Sequence, residues 1–211
     1  MFEVFASAFV TLFVVIDPPG CAPIFAGLSS GASPHRQHRM AIRAAGVAFV
    51  ILVLFALFGE ALLGALHIEL DAFRIAGGIM LFMIALEMVF ERRTRRREER
   101  AEKVRAAHEV DHAVEDIAIF PMAMPMLAGP GGIASVMLLM AQAPGMAASL
   151  AVLAALTLVM AVTLVMLLMA TPLMRIFGSQ VESVVTRLLG VVLAALAVQF
   201  VIDGVRGSLA G

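Results

Sequence analysis

Residues 13–25 read FVVIDPPGCAPIF, a carboxylate and three prolines set inside an otherwise apolar run. Proline has no backbone N–H and its ring clashes with the preceding turn, so Asp17-Pro18-Pro19-Gly20 must interrupt a helix. Composition decides what surrounds that interruption. Of 211 residues 62% are hydrophobic and 15% are charged, with a mean hydropathy of +1.00, whereas a soluble domain is about half apolar and about a quarter charged. The chain is expected to be an all-α integral membrane protein. Its opening apolar segment is expected to be retained, because no basic stretch precedes it and no A-x-A-like cleavage site ends it.

A helix needs roughly 20 mainly apolar residues to cross a hydrocarbon core of about 30 Å. That ruler predicts six spans, at about 2–29, 40–66, 72–90, 117–141, 147–173 and 184–204. Eight of the fifteen Lys and Arg residues fall between Arg92 and Arg105, inside ERRTRRREERAEKVRAAHEVDHAVED, which is too polar for lipid. Pairs such as Glu91 with Arg95 suit a short solvated helix there. Arg36, Arg39, Arg43 and Arg175 occupy the first and fifth connections, while HIELD and QAPGM, the second and fourth, carry no Lys or Arg. Basic short loops stay cytoplasmic, so both termini are expected outside. The basic cluster reads as this topology signal, and no nucleic-acid partner is expected. With no Trp and no Tyr, any interfacial aromatic belt falls to the fourteen Phe residues.

The chain also repeats itself. A shift of 112 residues sets Pro18 on Pro130 and Gly20 on Gly132, and a shift of 113 sets Arg74 on Arg187 and Gly77 on Gly190. DPPG in one half therefore answers GPGG, Gly129 to Gly132, in the other. Each break lies on the order of 20 Å into its span at 1.5 Å per residue. The predicted architecture is two three-span repeats, 1–90 and 117–211, separated by the charged cytoplasmic loop 91–116. Three is odd, so the second repeat runs inverted relative to the first, with the first helix of each repeat broken. Inverted repeats with broken helices point to a secondary transporter with its site at the repeat interface.

One proline alone is ordinarily a kink. Two equivalent breaks are better explained by a cavity, since unpaired backbone in lipid costs several kcal/mol per group. A broken helix offers N–H groups to an anion at the start of its second half and C=O groups to a cation at the end of its first, a pairing that fits a zwitterion. The expected solute-binding residues are Asp17, Pro18, Gly20, Cys21 and Pro23 on one side and Gly129, Pro130, Gly131 and Gly132 on the other. Asp17 either caps the turn or holds an ammonium group, a proton or a sodium ion, and the two roles are compatible. Arg74, Arg187, Glu87, Gln199 and Asp203 lie toward the ends of the third and sixth spans. There they either snorkel to headgroups or pair across the halves as gates.

His108-Glu109-Val110-Asp111-His112 matches the H-E-x-x-H zinc pattern. It sits in the charged loop with no third ligand in view, and reads as a solvated helix. The single Cys21 excludes a disulfide framework and any cysteine metal site. No cofactor and no catalytic arrangement is expected. Assembly of several copies into a homo-oligomer is allowed but not specified.

Four stretches in order, FVVIDPPGCAPIFAGLS, FRIAGGIMLFMIALEM, FPMAMPMLAGPGGIAS and RLLGVVLAALAVQFVIDG, resemble the MarC family of six-span inner-membrane proteins over nearly the whole chain. The resemblance implies a multi-pass protein of the bacterial cytoplasmic membrane, associated with transport of small neutral amino acids such as alanine and glycine. The family's first motif reads D-P-x-G-N-x-P, and Cys21 stands here in the Asn position, which bears on specificity. The competing class is a non-transporting signalling or assembly protein that works through its Arg-rich loop.

Overall fold

A computed structural model describes residues 1–90 and 119–210, without the side chains of 119–121, 125, 175–182 and 210. The charged loop, with Arg92 to Arg105 and the His108 and His112 motif, lies outside the described residues. So does the Arg175 side chain.

All the secondary structure among the described residues is helical, with no strand. In order they form α1 (Phe2–Ile16), α2 (Pro18–Leu28), α3 (Pro34–Ala65), α4 (Leu70–Val89), a π-helical segment (Ile119–Leu127), α5 (Pro130–Ala141), α6 (Met146–Leu168) and α7 (Ala170–Ala210). Five stretches are long and apolar enough to cross a membrane: Phe2–Leu28, Pro34–Ala65, Leu70–Val89, Met146–Leu168 and Ser183–Leu209. The fourth predicted span, 117–141, is not one helix over its described residues, 119–141. Pro121 and Pro125 stand four apart, so Pro125 has no N–H for the Pro121 carbonyl and the ordinary ladder fails there. The backbone widens into nine π-helical residues, closed by the Ala128 N–H on the Ala123 carbonyl at 2.9 Å. After the break at Ala128-Gly129, twelve helical residues remain in α5.

The other predicted ends shift for simpler reasons. Met169 caps α6, and α7 follows at once as 41 helical residues. That is about 60 Å at 1.5 Å per residue, roughly twice a hydrocarbon core, so only its later part is span-like. In α3 the first turns carry His35, Arg36, Arg39 and Arg43, while Ala41, Ala44, Ala45, Ala48, Leu52 and Ala56 form a buried stripe of mostly small residues at helical spacing. Small residues let backbones approach closely where lipid provides no hydrophobic drive between helices.

The main core joins α1, α2, α3, the π segment and α6 around Leu12, Ile16, Phe25, Leu52, Met122 and Leu156. A second core joins α1, α4, α5 and α7 around Val15, Leu81, Met88, Leu138 and Leu193. Outside these, Val50, Leu54 and Phe58 on α3 and Val184, Leu188 and Val191 on α7 are exposed, an apolar exterior suited to lipid.

The α4–α7 pair sets the frame. A methyl at Gly78 would meet Ala197 and Val201, one at Gly190 would meet Ala85, Met88 and Val89, and one at Gly204 would meet Asp71, Arg74 and Ile75. Residues rising along α4 meet residues falling along α7, so the two helices run antiparallel. Not every helical glycine is a contact glycine. A methyl at Gly46 in α3 meets no atom within 4 Å. Gly46→Ala is therefore expected to raise stability by about 0.5 to 1 kcal/mol through backbone entropy alone, read as a higher melting temperature in detergent.

Candidate functional site

The first break is built from local chemistry. Pro18 displaces Asp17 from the right-handed helical region, and Asp17 takes φ 58°, ψ 63°, a left-handed conformation that Asp tolerates better than most residues. Pro18 and Pro19 then begin α2 with φ already near helical values. The Gly20 N–H donates to Asp17 Oδ1 at 3.2 Å, and the Cys21 N–H donates to the Asp17 carbonyl at 3.1 Å. Gly20 is required here, because a Cβ would overlap the Asp17 carboxylate. The Cys21 thiol, fully buried, donates to the Ile16 carbonyl at 3.5 Å and so serves the last turn of α1. Pro23 lies within α2.

The expectation of free N–H groups fails at this break. Two of the first four positions of α2 are prolines and the other two donors are taken. What remains is a carboxyl group: Asp17, 1% exposed, beside the C-terminal end of α1. Thr186 of α7 reaches it from 169 residues away, its hydroxyl donating to Asp17 Oδ1 at 3.5 Å.

The second break has the same outline and the opposite character. Gly129 is extended at φ −80°, ψ 171°, and Pro130 opens α5 as Pro18 opens α2. Where Asp17 supplies a carboxylate, Gly129 has no side chain, and the first cap bond is the Ile133 N–H on the Gly129 carbonyl at 3.0 Å. The Gly131 and Gly132 N–H groups have no hydrogen-bond partner among the described residues, although both residues are buried. One turn on, Ser135 is fully buried and its hydroxyl is also unpartnered among the described residues.

The two breaks come together. A methyl at Gly131 would stand 3.4 Å from Val15 Cγ1, two residues before Asp17, and 2.6 Å from Ile84 Cδ1 of α4. α1 packs on α5, and α2 packs on the π segment, α6 and α7.

Among the expected gate residues, Arg74, Gln199 and Asp203 take partners within their own helices. Arg74 pairs with Asp71 of its own helix, Nη1 to Oδ1 at 2.7 Å, three residues away. Gln199 Nε2 donates to Asp203 Oδ1 one turn on at 2.8 Å, again within one helix and on an exposed face. Helical neighbours three and four apart engage these groups locally, although Arg74 Nε stays buried without a partner among the described residues. Glu87 and Arg187 each engage partners, and Gly190 against Ala85, Met88 and Val89 puts them on the same stretch of the α4–α7 interface. Sequence reasoning missed Thr186 and Ser135. Thr186 directly precedes the matched Arg187, and Ser135 follows the matched glycines by one turn, so position in the repeat was the signal that could have found both.

Residues 2–209 match the family described as MarC family integral membrane protein. The chain belongs to the MarC family. Among MarC relatives, a UPF0056 membrane protein of Methanocaldococcus jannaschii is 36% identical over 207 residues, covering 98% of each chain. YvbG of Bacillus subtilis is 32% identical, covering 98% of this chain and 96% of its own, and YhcE of Escherichia coli is 28% identical, covering 100% and 95%. Both are likewise named UPF0056 membrane proteins. No solved structure matches the chain.

Proposed function

We propose that this MarC protein is a secondary transporter of a small neutral solute, most plainly a small neutral amino acid such as alanine or glycine. The observation that carries the reading is the meeting of two helix breaks of opposite character inside the protein, one acidic at Asp17 and one with open N–H groups at Gly131 and Gly132. A compact zwitterion has one group for each. The site comprises Asp17 to Phe25 and Gly129 to Ile133, and Asp17 is also where a proton or sodium ion would couple.

Six crossings in two inverted repeats follow if the π segment and α5 together count as the fourth. The antiparallel α4–α7 pair supports this. Gly78 meets residues 197 and 201, and Gly190 meets residues 85 to 89, equivalent contacts within one residue under the shift of 113. The partners of the broken helices support it too, since α1 and α2 pack on α6 while the π segment and α5 pack on α3. Each first span thus rests on the second span of the other repeat. The cytoplasmic membrane, with both termini outside, is the matching placement.

Ile84 Cδ1 closes over Gly131 and is the free end of a flexible side chain, so it turns aside when solute reaches the break. Uptake of labelled alanine and glycine into proteoliposomes tests the proposal. Wild type is expected to exceed empty liposomes at least tenfold, and Gly131→Leu, which fills the break, is expected to fall to background. Equal flux in wild-type and empty vesicles across a panel of amino acids would sink the reading, and the Arg-rich loop would become the working part.

A further inference from the structure

We propose that the start of α5, with Ser135, is the subsite for the carboxylate of the transported solute, an inference that rests on the transporter reading above. Three groups carry it. The Gly131 and Gly132 N–H groups are buried donors without partners among the described residues, at the positive end of a twelve-residue helix. The Ser135 hydroxyl, 0% exposed, is a third.

Ser29 Oγ and Arg74 Nε are also buried without a partner among the described residues, but only Ser135 follows open helix N–H groups by one turn. Three other helical hydroxyls fold back onto the carbonyl four residues earlier: Thr163 on Val159 at 2.7 Å, Thr157 on Leu153 at 2.8 Å and Ser149 on Gly145 at 3.3 Å. That local bond is the usual refuge of Ser and Thr inside a helix. Ser135 does not take it. Its side chain leans toward the helix N-terminus, as helical side chains do, on the face it shares with Gly131 four residues before. Three donors thus stand within one turn.

Buried polar groups are nearly always satisfied, and an unsatisfied one calls for an explanation. A ligand that satisfies all three must bring acceptor oxygens and favour a positive potential. A carboxylate does both, with two oxygens and room for about four hydrogen bonds. An ammonium group has nothing to accept with, and it falls to the Asp17 side, where every donor of α2 is already used or missing. The orientation of the solute follows: carboxylate to the second repeat, ammonium to the first.

The test uses the full chain in detergent, with calorimetry and melting curves for L-alanine, propionate and alaninamide, on wild type, Ser135→Ala and Thr163→Ala. Wild type is expected to bind L-alanine, with propionate competing and alaninamide failing to compete. Ser135→Ala is expected to weaken L-alanine by about tenfold, the scale of a hydrogen bond to a charged group. Its ligand-free melting temperature is expected at or above that of wild type, since the lost hydroxyl had no partner. Thr163→Ala, which loses a partnered hydroxyl elsewhere, is expected to keep wild-type affinity. Undiminished L-alanine affinity in Ser135→Ala overturns the subsite and leaves the transporter reading standing. Competition by alaninamide equal to that of L-alanine overturns the carboxylate assignment. A wild type that binds neither L-alanine nor glycine overturns the subsite and the amino-acid reading together.

Discussion

Asp17→Ala is expected to destabilise the protein by about 2 to 3 kcal/mol and to abolish alanine flux. The first part follows from what the side chain does. It caps α2 through the Gly20 N–H, a contribution of about 1 kcal/mol and up to about 2. It also accepts from Thr186, and its residue sits at φ 58°, where an alanine is strained by about 1 kcal/mol or more. Against a total stability of about 5 to 15 kcal/mol this is a large loss, visible as a lower melting temperature in detergent. Asp17→Asn separates cap from charge. Asn caps as well as Asp and tolerates the left-handed region, so its melting temperature is expected to stay near wild type while alanine flux falls at least tenfold. Wild-type flux in Asp17→Asn would confine Asp17 to holding the turn.

The second large effect is at the α4–α7 crossing. A methyl at Gly78 would stand 2.7 Å from Val201 Cγ2, 2.8 Å from the Ala197 carbonyl oxygen and 3.0 Å from the Val201 nitrogen. Two of the three atoms are backbone, so no rotamer change relieves the contact, and α7 must move away along much of its length. Gly78→Ala is expected to cost about 1 to 3 kcal/mol, the range for overpacking a close-packed interior, and Gly78→Leu is expected to prevent recovery of folded protein. Gly46→Ala, which has open space, provides the comparison. Similar melting temperatures for Gly78→Ala and Gly46→Ala would mean that the close approach of α4 and α7 does not hold the fold together.

Much of the local geometry of the two breaks is legible in the residues themselves. Proline chemistry at residues 18 and 130 places both breaks, because a missing N–H acts within one turn whatever surrounds it. Asp17 as a cap is equally local, since donor and acceptor stand three residues apart. The paired prolines Pro121 and Pro125 are visible too, but whether the chain answers them with a kink, a break or a π-helical run depends on what packs alongside. That choice removes the fourth span from the long helices.

The sequence alone determined an all-helical membrane protein and the two places where its helices break, since hydropathy and proline geometry are properties of short segments. Only the tertiary structure decided that Thr186 reaches Asp17, that the two breaks lie against each other and that Ser135 is left without a partner among the described residues. Each of these depends on which side chains and backbone groups packing brings within about 3 Å, and that is set by the register of α4 against α7 and the seating of α1 on α5, contacts between residues far apart in the chain.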